Sequence, residues 1–166
     1  RYLPEEPLHN ACAPRMTVAE NLAFRLFDDG RDGRRRFWKS PRAIAANADA
    51  LIARFNVKTA SPHAPIATLS GGNVQRAVLA RELTGDVDLL IVSNPCFGLD
   101  FSAVAAIRDR LLAARNRGAA VLLISEDLDE ILELSDRIAV MSEGRIAFET
   151  AAEGADVAEI GAHMAG

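Results

Sequence analysis

The sequence predicts an α/β protein: a helical portion over residues 1–82, then a three-layer α/β portion over 83–166 with a mostly parallel sheet and a C-terminal hairpin. Three observations carry this. "DLLIVS" and "AAVLLIS" are short, nearly unbroken apolar runs, the pattern of strands buried on both faces of a parallel sheet. Between them "FSAVAAIRDRLLAARNRG" has helical period, so strand, helix and strand make a βαβ unit. Upstream, the segments with helix-start signals contain no strand-like run.

In chain order, Thr17 and Glu20 of "TVAENLAFRLF" form a T-x-x-E capping box, with Val18, Leu22 and Leu26 on one face. The polar, Gly-punctuated stretch 28–39 reads as a loop, onto which Phe37 and Trp38 fold back. A second helix opens with Ser40 as cap and Pro41 at its first position, and Ile44, Ala48, Leu51, Ile52 and Phe55 form its buried stripe. After the Pro-rich turn "TASPHAPIA", "LSGGNVQRAVLAREL" regains helical period through Val74, Val78, Leu79 and Leu83. In the βαβ helix Val104, Ile107 and Leu111 point inward and Gly118 is the stop. "EDLDEILELS" is a short helix with Asp127 and Glu130 as a capping pair. "RIAVMSEGRIAFE" is a hairpin turning at Glu143 and Gly144, and the tail is a closing helix.

The bulk numbers exclude several classes. A chain of 166 residues supports one sizeable core, and 49% apolar with 25% charged residues is the balance of a globular α/β protein rather than a disordered one. A net charge of −4 gives no footprint for nucleic acid, and the run Arg34, Arg35, Arg36 reads as a solvated loop. Two cysteines build no disulfide framework. Cys96 is read as a small buried residue and Met16, Met141 and Met164 as core filling. His9, His63 and His163 are scattered without metal-ligand spacing, so no metal site is expected. No apolar run reaches the roughly 18 residues of a membrane span. The opening "RYLPEEP", with neither an initiator Met nor a strand before it, reads as the start of a fragment.

The chemistry concentrates in "LSGGNVQR". A serine and two glycines at a helix start gather backbone N–H groups, a hydroxyl and the positive end of the helix dipole, and the glycines let an oxyanion approach the backbone. That is a phosphate-holding arrangement, although a glycine-rich cap without a ligand has the same outline. Arg76, one turn in, reads as pairing with acids, with a phosphate contact as the alternative. Spacing adds to this. "LLIVSNP", "GLD" and "LLISED" follow in order, each within about one helix length of the last.

With these motifs in place the chain resembles the ATP-binding cassette family of transporter ATPases, a P-loop NTPase fold. Leu69, Ser70, Gly71, Gly72 and Asn73 resemble the family's signature, "LLIVSNP" its Walker B strand, Gly98, Leu99 and Asp100 its D-loop, and "LLISED" the strand before its switch histidine. The stretches "YLPEE", "MTVAENL", "SEDLDEILELSDRIAVM" and "IGAHMAG" narrow the likeness to the second ATP-binding domain of double-cassette importers of simple sugars and nucleosides, leaning to the nucleoside branch. On this reading residues 1–82 are a helical subdomain from the Q-loop region through the signature helix, and 83–166 the C-terminal part of a RecA-like α/β core. Glu5 stands at the Q-loop position, Glu126 at the switch position, and Ser93 and Asn94 where the family has the Walker B Asp and Glu. The phosphate-cradling Walker A loop is absent from these residues.

The resemblance implies ATP and Mg2+ as cofactors of the full assembly, with none held tightly by this stretch alone, which is expected to be inactive in isolation. The implied partners are the first ATP-binding domain of the same protein, transmembrane permease subunits and, indirectly, a substrate-binding protein, at the cytoplasmic face of the membrane. Residues 5–21 and 28–39 are candidates for the permease contact. Ser93 and Asn94 bring no carboxylate for metal or water, so the chain's own half-site reads as catalytically degenerate while its signature serves the partner's site. A non-catalytic pseudo-ATPase that only docks a partner is the alternative. A soluble cassette ATPase of translation or DNA repair is disfavoured by the acidic balance and by the lack of a coiled-coil or zinc insert.

Overall fold

The computed structural model describes residues 1–26 and 40–165; the expected loop over 28–39, with its arginine run, Phe37 and Trp38, lies outside the described residues. The chain forms two compact units, Arg1–Ile124 and Ser125–Gly166.

The first unit contains a parallel sheet of strands β1 (Tyr2–Leu3), β2 (Leu89–Ser93) and β3 (Ala120–Ile124), in that spatial order. Tyr2 and Leu3 register with Ile91 and Val92, a pairing that two residues without visible alternation do not announce in the sequence. Leu90 and Val92 are fully buried, and their neighbours on the same face, Val121 and Leu123, are partly buried. On the other face Leu122 is 52% exposed, and Leu89 and Ile124 are also about half exposed. The expectation of strands buried on both faces is therefore corrected: within this unit one face is covered. An unbroken apolar strand marks both faces as apolar, but not what lies over them.

The helices of this unit begin where their caps are. Short helix α1 (Pro7–Asn10) follows Glu6, which adopts φ 49°. Helix α2 (Val18–Leu22) opens with the expected capping box: the Thr17 hydroxyl accepts from the Glu20 amide at 3.2 Å, and the Glu20 carboxylate accepts from the Thr17 amide at 2.8 Å. It tightens into a 3-10 turn over Ala23–Arg25. Helix α3 (Pro41–Phe55) starts at Ser40 and Pro41 and ends at Asn56 with φ 52°. Ala48, Leu51 and Phe55 are its buried stripe, with Ile44 and Ile52 half-buried.

Helix α4 (Gly71–Glu82) buries Val74, Val78 and Leu79 as the period predicts, and also Gln75, Arg81 and Glu82, which it does not. Helix α5 (Phe101–Asn116) buries Ala103, Ile107, Leu111 and Ala114. Val104, expected inward, is only half-buried because the stripe begins one position earlier. Gly118, at φ 100°, takes the chain out of α5 in a conformation that side-chain-bearing residues avoid.

The second unit is helix α6 (Leu128–Leu134), strands β4 (Arg137–Ser142) and β5 (Arg145–Ala151), and helix α7 (Val157–Ala165). Ile138, Val140 and Ile160 form its core, backed by Leu128, Ile131, Leu132 and Phe148. The hairpin turns at Glu143 and Gly144, with φ 49° and 77°, the paired positive φ of a type I′ turn.

Two expectations are corrected here. The Asp127 carboxylate caps α6, accepting from the Asp129 and Glu130 amides, but the Glu130 carboxylate does not return the bond. It accepts from the Ser125 hydroxyl at 2.7 Å, and that hydroxyl in turn accepts from the Asp127 amide at 3.0 Å, so Ser125 takes the amide a capping box would have used. The methionines do not fill the core: Met141 is 72% exposed, because it alternates away from Ile138 and Val140, and Met16 and Met164 are also exposed. His163 stacks on Phe148 with ring centroids 4.6 Å apart.

Candidate functional site

The start of α4 is preceded by a 3-10 turn, Ile66–Thr68, and by Leu69 in extended conformation, which sets Ser70 at the N-cap. The Ser70 hydroxyl does not cap its own helix. It accepts from Asn73 Nδ2 at 2.8 Å, while Asn73 Oδ1 accepts from the Lys58 amide at 2.7 Å. The side chain of Asn73 thus holds the loop and the strand of chain after α3 together. The first turn of α4 therefore has no side-chain cap: the Asn73 amide donates to the Ser70 carbonyl at 2.9 Å, and the Gly71 and Gly72 amides lie ahead of it at the positive end of a three-turn helix. Ser70 and Gly71 are exposed, and nothing lies within 4 Å of where a Gly71 side chain would begin. An oxyanion can therefore come directly onto the backbone.

The same helix is locked to the turn after β2. A Cβ on Gly72 would lie 3.0 Å from Leu99 Cδ2, so the glycine is what lets the helix approach the turn. One turn further on, the buried amide of Gln75 donates through Nε2 to the Pro95 carbonyl. The structure thus brings Leu69, Ser70, Gly71, Gly72 and Asn73 into one block with Gly98, Leu99 and Asp100. Asp100 caps α5, its Oδ1 accepting from the Ala103 amide at 2.9 Å. That backbone donor, reinforced by Ser102 and by the charge of Arg76, holds the Asp100 carboxyl below the usual range. Gly98 turns the chain at φ 71°, and Phe97 and Phe101 on either side are 81% and 95% exposed. Two large aromatic side chains thus flank this turn in solvent, which burial does not explain.

Ser93 and Asn94 stand at the C-terminal end of β2, the edge of a parallel sheet where α/β folds place ligands. Asn94 adopts φ 45°, a region asparagine tolerates. Its amide donates to the Ile124 carbonyl at 2.8 Å, and its carbonyl accepts from the Phe97 amide at 3.2 Å. The pair offers neutral oxygens. Neither side chain can bring charge to a divalent cation or take a proton from water at neutral pH. Among the described residues no group of three His, Cys, Asp or Glu could hold a metal ion. The donor set at this strand end does not fit a charge-compensated Mg2+ site.

Glu5 follows β1 with its side chain exposed, and its carbonyl accepts from Asn10 Nδ2 at 2.7 Å. Glu126 lies in the second unit, exposed, in the stretch leading into α6. The expected acid pairing of Arg76 is met only at a distance: its charge acts on Asp100, but its Nη1 donates to the Asn56 carbonyl at 3.3 Å, and among the described residues no carboxylate is within ion-pair distance. Both cysteines are half-buried, and burial raises the Cys12 thiol above its ordinary value against the opposing charge of Arg81.

Two features went unread in the sequence. One is Gln75, whose signal is a polar residue between Val74 and Val78 on a helix face that is otherwise apolar. The other is an ion cluster at the far end of α4. The fully buried Glu82 carboxylate accepts from Arg81 Nε at 2.7 Å and from Arg25 Nη2 at 2.7 Å, while Arg81 Nη1 donates to the Ala11 carbonyl at 2.8 Å. This cluster ties α4 to the segment between α1 and the 3-10 turn. The adjacent Arg-Glu pair closing an apolar helix was its available sign.

The fold that brings this loop and turn together is shared with solved ATP-binding cassettes. The ATP-binding subunit of an ABC transporter superposes with a TM-score of 0.74 at 21% identity, over 99% of this chain and 68% of that one. A post-hydrolysis dimer of an ATP-binding cassette bound to ADP and Pi gives 0.74 at 19% identity, over 92% and 62%. At these identities the likeness shows the fold.

The sequence relatives are nearer. The glucose import ATP-binding protein TsgD13 of Haloferax volcanii is 39% identical over 99% of this chain, and the nucleoside import ATP-binding protein NupA of Lactococcus lactis is 40% identical over 99%. The guanosine import ATP-binding protein NupO of Bacillus subtilis is 42% identical over 72%. Over nearly its whole length the chain is homologous to a part of these import ATP-binding proteins, and its fold is that of an ATP-binding cassette. It spans 30% and 32% of the length of the first two relatives. No family model matches it.

Proposed function

We propose that these residues are part of the ATP-hydrolysing subunit of an importer for nucleosides or simple sugars, and that they complete an ATP site held mainly by another domain. The observation that carries this is the contrast within one block: the loop at the start of α4 is open and built for an oxyanion, while Ser93 and Asn94 beside it lack acid chemistry. In this reading Ser70, Gly71 and Gly72 close over the terminal phosphate of ATP cradled by the partner domain's Walker A loop. Leu69 and Asn73 hold that loop in shape. Gly98, Leu99 and Asp100, with the exposed Phe97 and Phe101, meet the partner domain.

ATP and Mg2+ belong to the full assembly, where the nucleotide supplies the phosphoryl bond whose cleavage drives transport. What this chain does is position and shield: exposed amides and a hydroxyl come to one face of the phosphate, and the turn 98–100 relays contact to α4 through Gly72. Its own half-site, with Ser93, Asn94, Glu126 and Glu5 at the positions of metal, water, switch and Q-loop groups, does not hydrolyse efficiently. Losing positioned acid, base or electrostatic groups costs roughly 10² to 10⁴ each in rate. Residues 1–82 act as the helical subdomain and 83–166 as part of the catalytic core. The permease subunits hold the protein at the cytoplasmic membrane face, and a substrate-binding protein is reached through them.

The test is Ser70→Arg in the full-length protein. A bulky cation at the mouth of the loop should lower ATPase rate and solute uptake by at least tenfold while leaving the protein folded, since Ser70 is exposed and only its bond to Asn73 is lost. Unchanged rates and uptake would refute the role of this loop in a partner's site.

A further inference from the structure

A cleft of about 130 Å³ opens among the end of α3, the middle of α4 and the start of α5, lined by Phe55, Asn56, Arg76, Leu79, Ser102 and Arg110, with Ile107 at its base. Two guanidinium groups border it, and neither meets a carboxylate within ion-pair distance among the described residues. Arg110 donates through Nη2 to the Arg54 carbonyl at 2.7 Å and lies over the Phe55 ring, 4.6 Å from its centroid. Arg76 reaches only the Asn56 carbonyl, at 3.3 Å, and its buried Nε has no hydrogen-bond partner. Asp100, the nearest acid to influence Arg76, is engaged in capping α5 through the Ala103 amide.

A buried N–H of a permanently charged group without an acceptor is costly, and native proteins seldom leave one so. Asn56 and Arg54 contribute carbonyls already in use, so the acceptor must come from outside. The apolar floor of Phe55, Leu79 and Ile107 lowers the local dielectric and strengthens any charge pairing made above it. Ser102, whose hydroxyl is engaged with Asp100, stands in the first turn of the sixteen-residue α5, where the helix field favours an anion. The volume accepts one tetrahedral oxyanion and little more, and two arginine forks are the groups that recognise phosphate in that geometry.

We propose that this cleft binds a phosphate-class oxyanion, as inorganic phosphate or as the terminal phosphate of a nucleotide, held between Arg76 and Arg110 beside the first turn of α5. The site is distinct from the open loop at Ser70–Gly72. Arg76 and Ser102 nevertheless sit on the helices that carry the loop and the turn 98–100. Occupancy there stiffens α4 against α5.

The experiment is titration of the full chain with inorganic phosphate at constant ionic strength, followed by calorimetry and by amide shifts of Asn56, Ser102 and Ala106. Saturable binding is expected, weakened at least tenfold by Arg76→Gln and by Arg110→Gln, and less by Arg76→Lys, which keeps charge without the fork. Ser102→Glu, placing a carboxylate at the rim, should abolish binding, and it keeps the test decisive if an arginine variant fails to fold. Competition by ADP for the same residues assigns the site to nucleotide phosphate, and its absence assigns it to the free ion. No saturable shift up to about 10 mM phosphate, or binding indifferent to Arg110→Gln and Ser102→Glu, overturns the proposal.

Discussion

The start of α4 and the end of β2 lie side by side, tied by Gln75 and Pro95, yet they are specified in opposite ways. The first is a matter of shape: two glycines, one open to solvent and one against Leu99, and an asparagine bridging two segments. The second is a matter of side-chain identity, since the backbone of a strand end looks the same whether it presents acids or Ser93 and Asn94. A fold can therefore keep the geometry of both while the chemistry of one changes. The packing of α4 would register a substitution at its ends, and the strand end would not.

The largest effect should come from Glu82→Ala, which leaves Arg81 buried without its carboxylate. About 3 kcal/mol of stability should be lost, measured by urea denaturation. If the loss were under about 1 kcal/mol, α4 would not be held by its ion cluster. Next is Gly72→Val, which drives a branched side chain into Leu99. About 2 kcal/mol should be lost to overpacking, together with chemical-shift changes at residues 98–100, which would be the direct sign that helix and turn move as one.

A smaller effect belongs to Asp100. Its carboxyl is held below the usual range by the Ala103 amide, so its contribution is complete above the unfolded value of about 3.9 and is lost as pH falls through the lower folded value. Asp100→Asn keeps a cap of similar quality and should flatten the acid limb of the stability curve below about pH 4, with little change at neutral pH. The smallest is Ser93→Ala, within about 0.5 kcal/mol by thermal or urea unfolding. A large loss there would mean that the strand end also is fixed by packing, and the contrast with α4 would fail.

Much of this was legible in the sequence because it depends on neighbours within a few residues. The caps at Thr17, Ser40 and Asp127 and the stop at Gly118 are local, and the two-residue turn at Glu143 and Gly144 permits only one kind of hairpin. The order of "LSGGN", "LLIVSNP" and "GLD" conveyed the family. What escaped reading depends on partners far away in the chain. Tyr2 and Leu3 become a strand only through Ile91 and Val92. Glu82 is buried because Arg25, 57 positions earlier, comes to meet it. The open face of the sheet at Leu89, Leu122 and Ile124 was invisible for a related reason, since hydrophobicity records that a surface wants cover and not where the cover comes from. Ser125 displaced Glu130 from its expected capping role by a competition among three polar groups that spacing alone does not rank.

Asn73 orders the loop in advance of any ligand. With its oxygen on the Lys58 amide and its nitrogen on Ser70, it removes rotamer and backbone freedom from the loop before any ligand arrives. In the proposed function, a phosphate meeting Ser70 and Gly71 would find a preorganised surface, the ordering entropy that a slack glycine loop surrenders on binding having been taken at folding. In kinetic terms such a loop needs no search among its own conformations, so on the proposed function the speed of closure would be set by how fast the partner domain approaches.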